Sequence, residues 1–349
     1  LARELRDTDL PDDRWLQRSL VDYFPSSIDD LLGAAGGAAR DQAAADVLGA
    51  HPLRREIITT GVVNDAVNNA GITFAFRAAE EQGTDIAQII RAYTVTREVF
   101  DLPQVWSRIE ALAARGPAAS GSAHRASRQA QEAAYLEVRR LVDRATRWLL
   151  DNRFPISDIA AEIDRYQPVV RAIAPRLPDL LQGTELEDLS QTAAGLVGQG
   201  IPADLAQTIA AGLTAFTLLD IVEIARAADG DHDPLTVADA YFTVSDRFSV
   251  DSLLTQVTGL PRGDRWSSLA RSALRHDLYG ALGALTRSVL ASTKPDMSAA
   301  ARVASWEEDN SERVARARAV VEEALSRDRP DLATLSVALR ALRGVRAAD

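Results

Sequence analysis

The sequence predicts an all-α fold, a multi-helix bundle-like domain with no β-sheet, and three observations carry that reading. Apolar residues return every three or four positions through most of the 349 residues, the spacing that gathers them on one side of a helix. No run of alternating apolar and polar residues, no hairpin signal and no repeat of fixed length interrupts the pattern. Glycines, prolines and capping side chains stand between the periodic stretches, at the short separations typical of packed helices.

Residues 1–50 open polar and charged, after which Leu16, Leu20 and Tyr23 recur at helical spacing up to Phe24-Pro25. Ser27 is placed to cap a short helix ahead of the small-residue stretch GAAGGAARDQAAAD, residues 33–46. His51-Pro52 starts the next helix, because proline in a first turn gives up an N–H that has no partner there. Gly71 ends it where helices commonly turn left-handed. Residues 72–83 form another helix, stopped by Gly83, and Asp85 with Gln88 reads as a capping box for the one carrying Ile86, Ile89, Ile90, Tyr93, Arg97 and Phe100. Asp101-Leu102-Pro103 restarts the chain into QVWSRIEALAARG.

GPAASGSAH, residues 116–124, reads as a linker or as the frayed start of the helix behind it. It sets the expected division: an N-terminal helical subdomain over 1–115 and a C-terminal one over 116–349. From about 125 to 153, Ala133, Leu136, Arg140, Leu141, Ala145, Trp148 and Leu149 define one long amphipathic helix. Ser157 caps the following segment, which Pro168, Pro175 and Pro178 kink or break. Thr184 with Glu187 makes a second capping box, Thr236 with Asp239 a weaker one, and Pro202 sits where a first turn accepts it. The remaining helices fall near 203–228, 237–258, 264–292, 299–327 and 331–345. Trp266, Ala270, Ala273, Leu274, Leu278, Ala281, Leu285 and Val289 mark the buried side of one, and Leu332, Leu335, Leu339 and Leu342 that of the last.

Composition narrows the function classes. With 46% hydrophobic and 26% charged residues the chain reads as globular, and its length allows a sizeable core. The absence of cysteine removes disulfides and thiolate metal sites and makes the cytoplasm the default location. A net charge of −11, with Lys294 the single lysine, argues against nucleic acid as a partner. Arg139-Arg140 lies among Glu137 and Asp143, a pattern of ion pairs along a helix surface. AGLTAFTLLDIVEIA, residues 211–225, is too short and too interrupted by Asp220 and Glu223 for a membrane span, and reads as a core helix. A first residue of leucine, with no basic-then-apolar leader, reads as a fragment or a processed chain.

The most particular stretch is HPLRREIITTGVVNDAVNNAGITF, residues 51–74. The helical angle places Leu53, Ile57, Thr60, Gly61, Asn64, Val67 and Asn68 on a single face. That face is expected to be dry, so the amides of Asn64 and Asn68 must have partners, since an unpaired buried polar group costs about 1–3 kcal/mol. They either bond across to a neighbouring helix and fix its register, the favoured reading, or line a ligand site. Gly71 closes the same structural group.

This stretch, with LPDDRWLQRSLVDYFP (10–25) before it and DIAQIIRAYTVTREVFDLPQVWSRIEAL (85–112) after it, resembles the C-terminal region of the large bacterial NAD-specific glutamate dehydrogenases. RATRWLL (144–150), DRWSSLARSALRHDLYGALGALT (264–286) and LATLSVALRALR (332–343) extend the resemblance over most of the chain. It implies a piece of a larger cytoplasmic enzyme whose catalytic domain lies upstream. That enzyme would oxidatively deaminate L-glutamate to 2-oxoglutarate and ammonia with NAD. Partners would be its own catalytic domain and other subunits of a homo-oligomer, with no nucleic acid and no membrane.

No catalytic, cofactor-binding or metal-binding residue of the chain itself is expected. GLVGQG (195–200) has its glycines in the reverse order of a dinucleotide turn and follows a helical pattern, so it reads as a helix stop. Lys294 in STKPDM matches none of the family's lysine motifs. DGDHD (229–233) alternates like a calcium loop, but Pro234 and Ala240 occupy the places of its glycine and bidentate glutamate. His51, His124, His232 and His276 lack zinc spacing and read as surface or cap residues. No GxSxG elbow occurs. Asp12-Asp13, Asp29-Asp30 and Glu307-Glu308 read as wet-face charge rather than as the paired motifs of an isoprenoid-synthase-like enzyme. The alternative to a non-catalytic domain of the dehydrogenase is a free-standing helical interaction module.

Overall fold

The computed structural model describes residues 1–23, 50–114, 122–227, 232–261 and 263–345, and every regular element among them is helical. Ser27, the 33–46 stretch, Asp29-Asp30, residues 116–121 of the expected linker and residues 229–231 of DGDHD lie outside the described residues. The chain forms two compact units, Leu1–Arg171 and Ala172–Asp349.

The first unit contains α1 (Ala2–Arg6), a 3-10 turn (Leu10–Asp12), α2 (Arg14–Tyr23), α3 (Arg54–Asn69), α4 (Phe74–Gln82), α5 (Ile86–Val99), α6 (Leu102–Ala114), α7 (Ser122–Arg153) and most of α8 (Ile159–Ile173). Its central element is α5, buried on almost every side from Ile86 to Thr96, as expected of a helix apolar all round. Against it pack α4 and the long α7, which also lies along α6, while α1 and α2 pack on α3. That arrangement explains why the division falls at Arg171 rather than at the anticipated 115/116. Ala130, Ala134, Val138, Leu141, Val142, Ala145 and Leu149 bury α7 in the first unit, so the helix behind the linker belongs with those before it.

Local signals place these helices. Asp85 caps α5 by accepting from Gln88 N at 3.0 Å, but the Gln88 amide does not turn back to close a box. It accepts from Ile156 N at 2.8 Å and donates to Ile156 O at 3.4 Å, joining α5 to the turn before α8. Gly71 and Gly83 end α3 and α4 with φ of +107° and +64°. Asp158, not Ser157, caps α8, accepting from Ala161 N at 3.0 Å, and the helix runs through Pro168. On α7 the apolar stripe is rotated from the expected one, leaving Leu136 and Arg140 exposed. Arg140 pairs with Glu137 at 2.9 Å as the spacing suggested, whereas Asp143 pairs with Arg147 and Arg77 rather than with Arg139.

The second unit continues through a 3-10 turn (Ala174–Arg176), α9 (Leu177–Leu180), α10 (Gly183–Gly198), α11 (Ala203–Ala215), α12 (Leu218–Ala227), α13 (Pro234–Arg247), α14 (Val250–Gly259), α15 (Arg265–Ser292), α16 (Ala299–Asp309), α17 (Ser311–Leu325) and α18 (Leu332–Arg343). Pro175 and Pro178 break the chain as expected. Here α15 carries α13, α14, α16 and α18 around it, and α10 pairs with α11. Phe216 meets Tyr279 edge-on at 5.0 Å, and Phe248 meets Trp306 at 6.2 Å.

Three helices anticipated as continuous are each broken. The 203–228 helix bends by 51° between α11 and α12, where Thr217 Oγ1 donates to Thr214 O at 2.8 Å. Ser249, at φ +50°, separates α13 from α14, and Asn310 separates α16 from α17. Asp233 rather than Thr236 caps α13, and α10 begins at Gly183 without a side-chain cap from Thr184. Residues 211–225 are largely buried. No single described helix is long and apolar enough to cross a membrane; α11 and α12 pass by length and composition only when taken together. Trp266 is 77% and Leu332 37% exposed, and Ala273 is exposed too, so the buried sides of α15 and α18 start later than predicted, at Leu274 and Leu335.

Candidate functional site

The stretch singled out by sequence folds into α3 and the turn after it, and the predicted face exists but points the other way. Leu53, Thr60, Gly61, Asn64 and Asn68 are exposed, and Ile57 and Val67 are half-buried. What packs inward is the opposite side, Ile58, Thr59, Val62 and Ala66. Among the described residues, Asn64 and Asn68 are therefore not amides in a dry interhelix contact. Gly71 is placed as expected: its N–H donates to Ala66 O at 3.2 Å and Val67 O at 3.1 Å. Open space surrounds the site of a β-carbon there, so the positive φ alone calls for glycine.

The charged residues of α3 pair within the first unit, in part at its surface. Arg54 donates to Asp12 Oδ1 at 2.6 Å, and Arg55 reaches Asp12 Oδ2 at 2.7 Å and the carbonyls of Arg6 and Thr8. Glu56 lies 3.8 Å from Arg6. Burial pushes the Asp12 carboxyl up, yet the hydrogen bonds from Arg55 and Arg54 outweigh it and hold it below the ordinary range. Asp65 Oδ2 accepts from Tyr93 Oη at 2.8 Å, Asp65 Oδ1 from Asn69 Nδ2 at 3.0 Å, and Arg97 Nε stands 3.8 Å away. Burial first, then the Asp65 charge, raises the Tyr93 phenol far above its usual value, so it stays a donor. Beside this network Arg91, 3% exposed, pairs with Asp13 at 2.7 Å and Asp9 at 3.1 Å. Asp65 and Asn69 are the polar residues sequence reading missed. The signal was Tyr93, whose hydroxyl on a buried stripe required an acceptor.

A second polar group lies within the second unit, at the start of α10. Gly183 has φ +51°, and a β-carbon there would collide with the Asp246 carboxylate. Next to it, burial and then the charges of Asp251, Asp246 and Asp188 push Glu185 up to about 8. Burial likewise raises Asp251, against the lowering effect of hydrogen bonds from Ser252 N and Thr184. Tyr241 Oη donates to Asp220 Oδ2 at 3.3 Å, and complete burial raises that phenol well above its usual value. These groups stand at helix ends, and among the described residues no histidine, cysteine or lysine joins them.

Other candidate chemistry is dispersed. Gly195 and Gly198 lie within α10, and Gly200 at φ +94° turns the chain towards α11, so GLVGQG is a helix end. His51 Nδ1 accepts from Leu53 N at 3.2 Å as a cap, His276 is exposed, and Lys294 is exposed between α15 and α16. Among the described residues no three or more His, Cys, Asp or Glu side chains could hold a metal ion.

The regular elements of the described residues are thus wholly helical, with the polar groups named above paired between helices, and comparison with known proteins gives the family. Residues 1–344 match the family described as glutamate dehydrogenase, C-terminal, and the chain belongs to that family. It is 40% identical to the NAD-specific glutamate dehydrogenase of Mycobacterium tuberculosis over 98% of this chain and 20% of that protein. The NAD-specific glutamate dehydrogenase of Pseudomonas aeruginosa is 33% identical over 95% of this chain and 19% of its own length. That of Halomonas elongata is 33% identical over 88% and 17%. The chain spans about one fifth of the length of these curated relatives.

Proposed function

We propose that this chain is the non-catalytic helical C-terminal region of a large NAD-dependent glutamate dehydrogenase, and that it braces the catalytic domain or the oligomer. The observation that carries the reading is the match of residues 1–344 to a C-terminal family, joined to coverage of 20% of a relative named as an NAD-specific glutamate dehydrogenase. The whole cytoplasmic enzyme converts L-glutamate, NAD and water to 2-oxoglutarate, ammonium, NADH and a proton, with dinucleotide and substrate held upstream of this region. Supporting a bracing role, the strongest polar groups described above tie helix to helix, and the region's one lysine stands exposed and alone.

The test compares the intact polypeptide with residues 1–349 in glutamate-dependent NADH formation. Turnover by the intact polypeptide and none by the region alone is expected; turnover by the purified region overturns the non-catalytic assignment. Removing the region from the intact polypeptide should lower heat stability or change the assembly's mass in solution. An unchanged assembly of unchanged stability would sink the bracing role.

A further inference from the structure

An arginine does not escape burial by losing its proton, so a guanidinium taken out of water needs a counter-charge, and without one it is strongly destabilising. Arg91 keeps this rule, with Asp13 and Asp9 beside it. Arg302, on α16, breaks it. The side chain is 1% exposed, and its Nη1 is buried without a hydrogen-bond partner. Its Nε donates to Met297 O at 3.2 Å, and no carboxylate pairs with it among the described residues. The protein as a whole is not short of acid, with 50 Asp and Glu against 39 Lys and Arg. The shortage is local: from Arg287 to Ser305 the sequence holds three cations and one carboxylate, Asp296, which is exposed. Glu307, further along α16, is engaged by Arg247 at 2.7 Å and lies 3.8 Å from Arg318. A water molecule would satisfy one donor and leave the charge uncompensated.

The position of Arg302 shows what kind of group suits it. Helical side chains lean towards the N-terminus of their helix, and the bond to Met297 O, just before the N-cap Ser298, holds this one against the start of α16. There Ser298 Oγ accepts from Ala301 N at 3.3 Å and Ser298 O from Arg302 N at 2.9 Å. The N–H groups of Ala299 and Ala300 are left without a partner among the described residues. Such donors, at the positive end of a helix dipole, favour an anion, and the arginine fork matches two oxygens of one group. Lys294 adds charge nearby: it is exposed in the loop before α16, in a turn closed by Met297 N donating to Lys294 O at 3.3 Å. We infer that the start of α16 binds a small oxyanion, a phosphate or carboxylate group, held between the Arg302 guanidinium and the N–H groups of Ala299 and Ala300. The site lies within the second unit and does not depend on the bracing role.

The test is hydrogen–deuterium exchange of the intact polypeptide, read on peptides within 294–306, in sodium chloride, sodium phosphate and sodium acetate at equal ionic strength. With the bound anion at about ten times its Kd, exchange at residues 299–303 should slow about tenfold relative to chloride. Protection by phosphate alone assigns a phosphate group and protection by acetate a carboxylate, and either supports the site. Arg302→Met should abolish the protection without lowering the melting temperature in chloride, because it removes an unpaired buried charge. Should that variant not fold, Ala299→Pro carries the test. It removes one N–H donor at the first helical position, and Ser298, at ψ 157°, already has the conformation a residue before proline adopts. It should weaken the anion's affinity. Equal exchange in the three salts, protection that survives Arg302→Met, or an affinity unchanged by Ala299→Pro overturns the site.

Discussion

Arg91, 3% exposed, is held by Asp13, whose side chain is nearly as buried. Removing one partner of such a pair leaves an uncompensated charge, so Asp13→Ala should cost about 3–5 kcal/mol, read by urea unfolding at neutral pH. Gly183→Ala combines a left-handed backbone with a collision against Asp246 and should cost at least about 1–2 kcal/mol in the same assay. Glu185 gives a pH dependence whose sign follows from its raised folded-state value of about 8 against an ordinary 4.5. Between those values the folded state holds a proton that the unfolded state has released. Stability therefore falls as pH rises through that window, by at most about 1.4 kcal/mol per pH unit. Glu185→Gln should flatten this slope in thermal melts taken from pH 5 to about 8; an unchanged slope would exclude Glu185 as its source. None of these residues announced itself in the sequence, because Asp13 and Glu185 look like any surface carboxylate until burial is known.

At the scale of elements, periodicity located α3, α4, α5, α7 and α15, and the turns at Gly71 and Gly83 were legible from glycine alone. The direction of α3 was not. Both its sides mix apolar and polar residues, and a helical angle says which residues share a face but not which face is packed. Asn64→Leu and Asn68→Leu, at exposed positions, should change the stability of the isolated chain by no more than about 0.5 kcal/mol. Ile58→Ala, on the side that does pack, should cost about 2–5 kcal/mol. The breaks at Thr217 and Ser249 escaped reading for a related reason: the helices on either side are buried, so the apolar pattern runs straight through the bend. The capping box read at Asp85 kept its N-cap and lost its return bond, since Gln88 had a better use against Ile156.

For the whole molecule, class followed from composition and spacing, and family from particular stretches of residues. The candidate site did not, since the chain's most characteristic residues lie on a side of α3 that is exposed among the described residues. A net charge of −11 and a pI near 5.0 lead to the expectation that the protein does not shift duplex DNA in a gel at physiological salt. The arrangement of α3 also bears on which substitutions the protein tolerates. An ordinary surface helix accepts almost any residue along one side, giving a saturation-mutagenesis scan a striped profile. With ion pairs and apolar packing fixing one side of α3, the scan should show that stripe between Arg54 and Asn69: intolerance at Arg55, Ile58, Val62, Asp65 and Ala66, and tolerance at the exposed Thr60, Asn64 and Asn68.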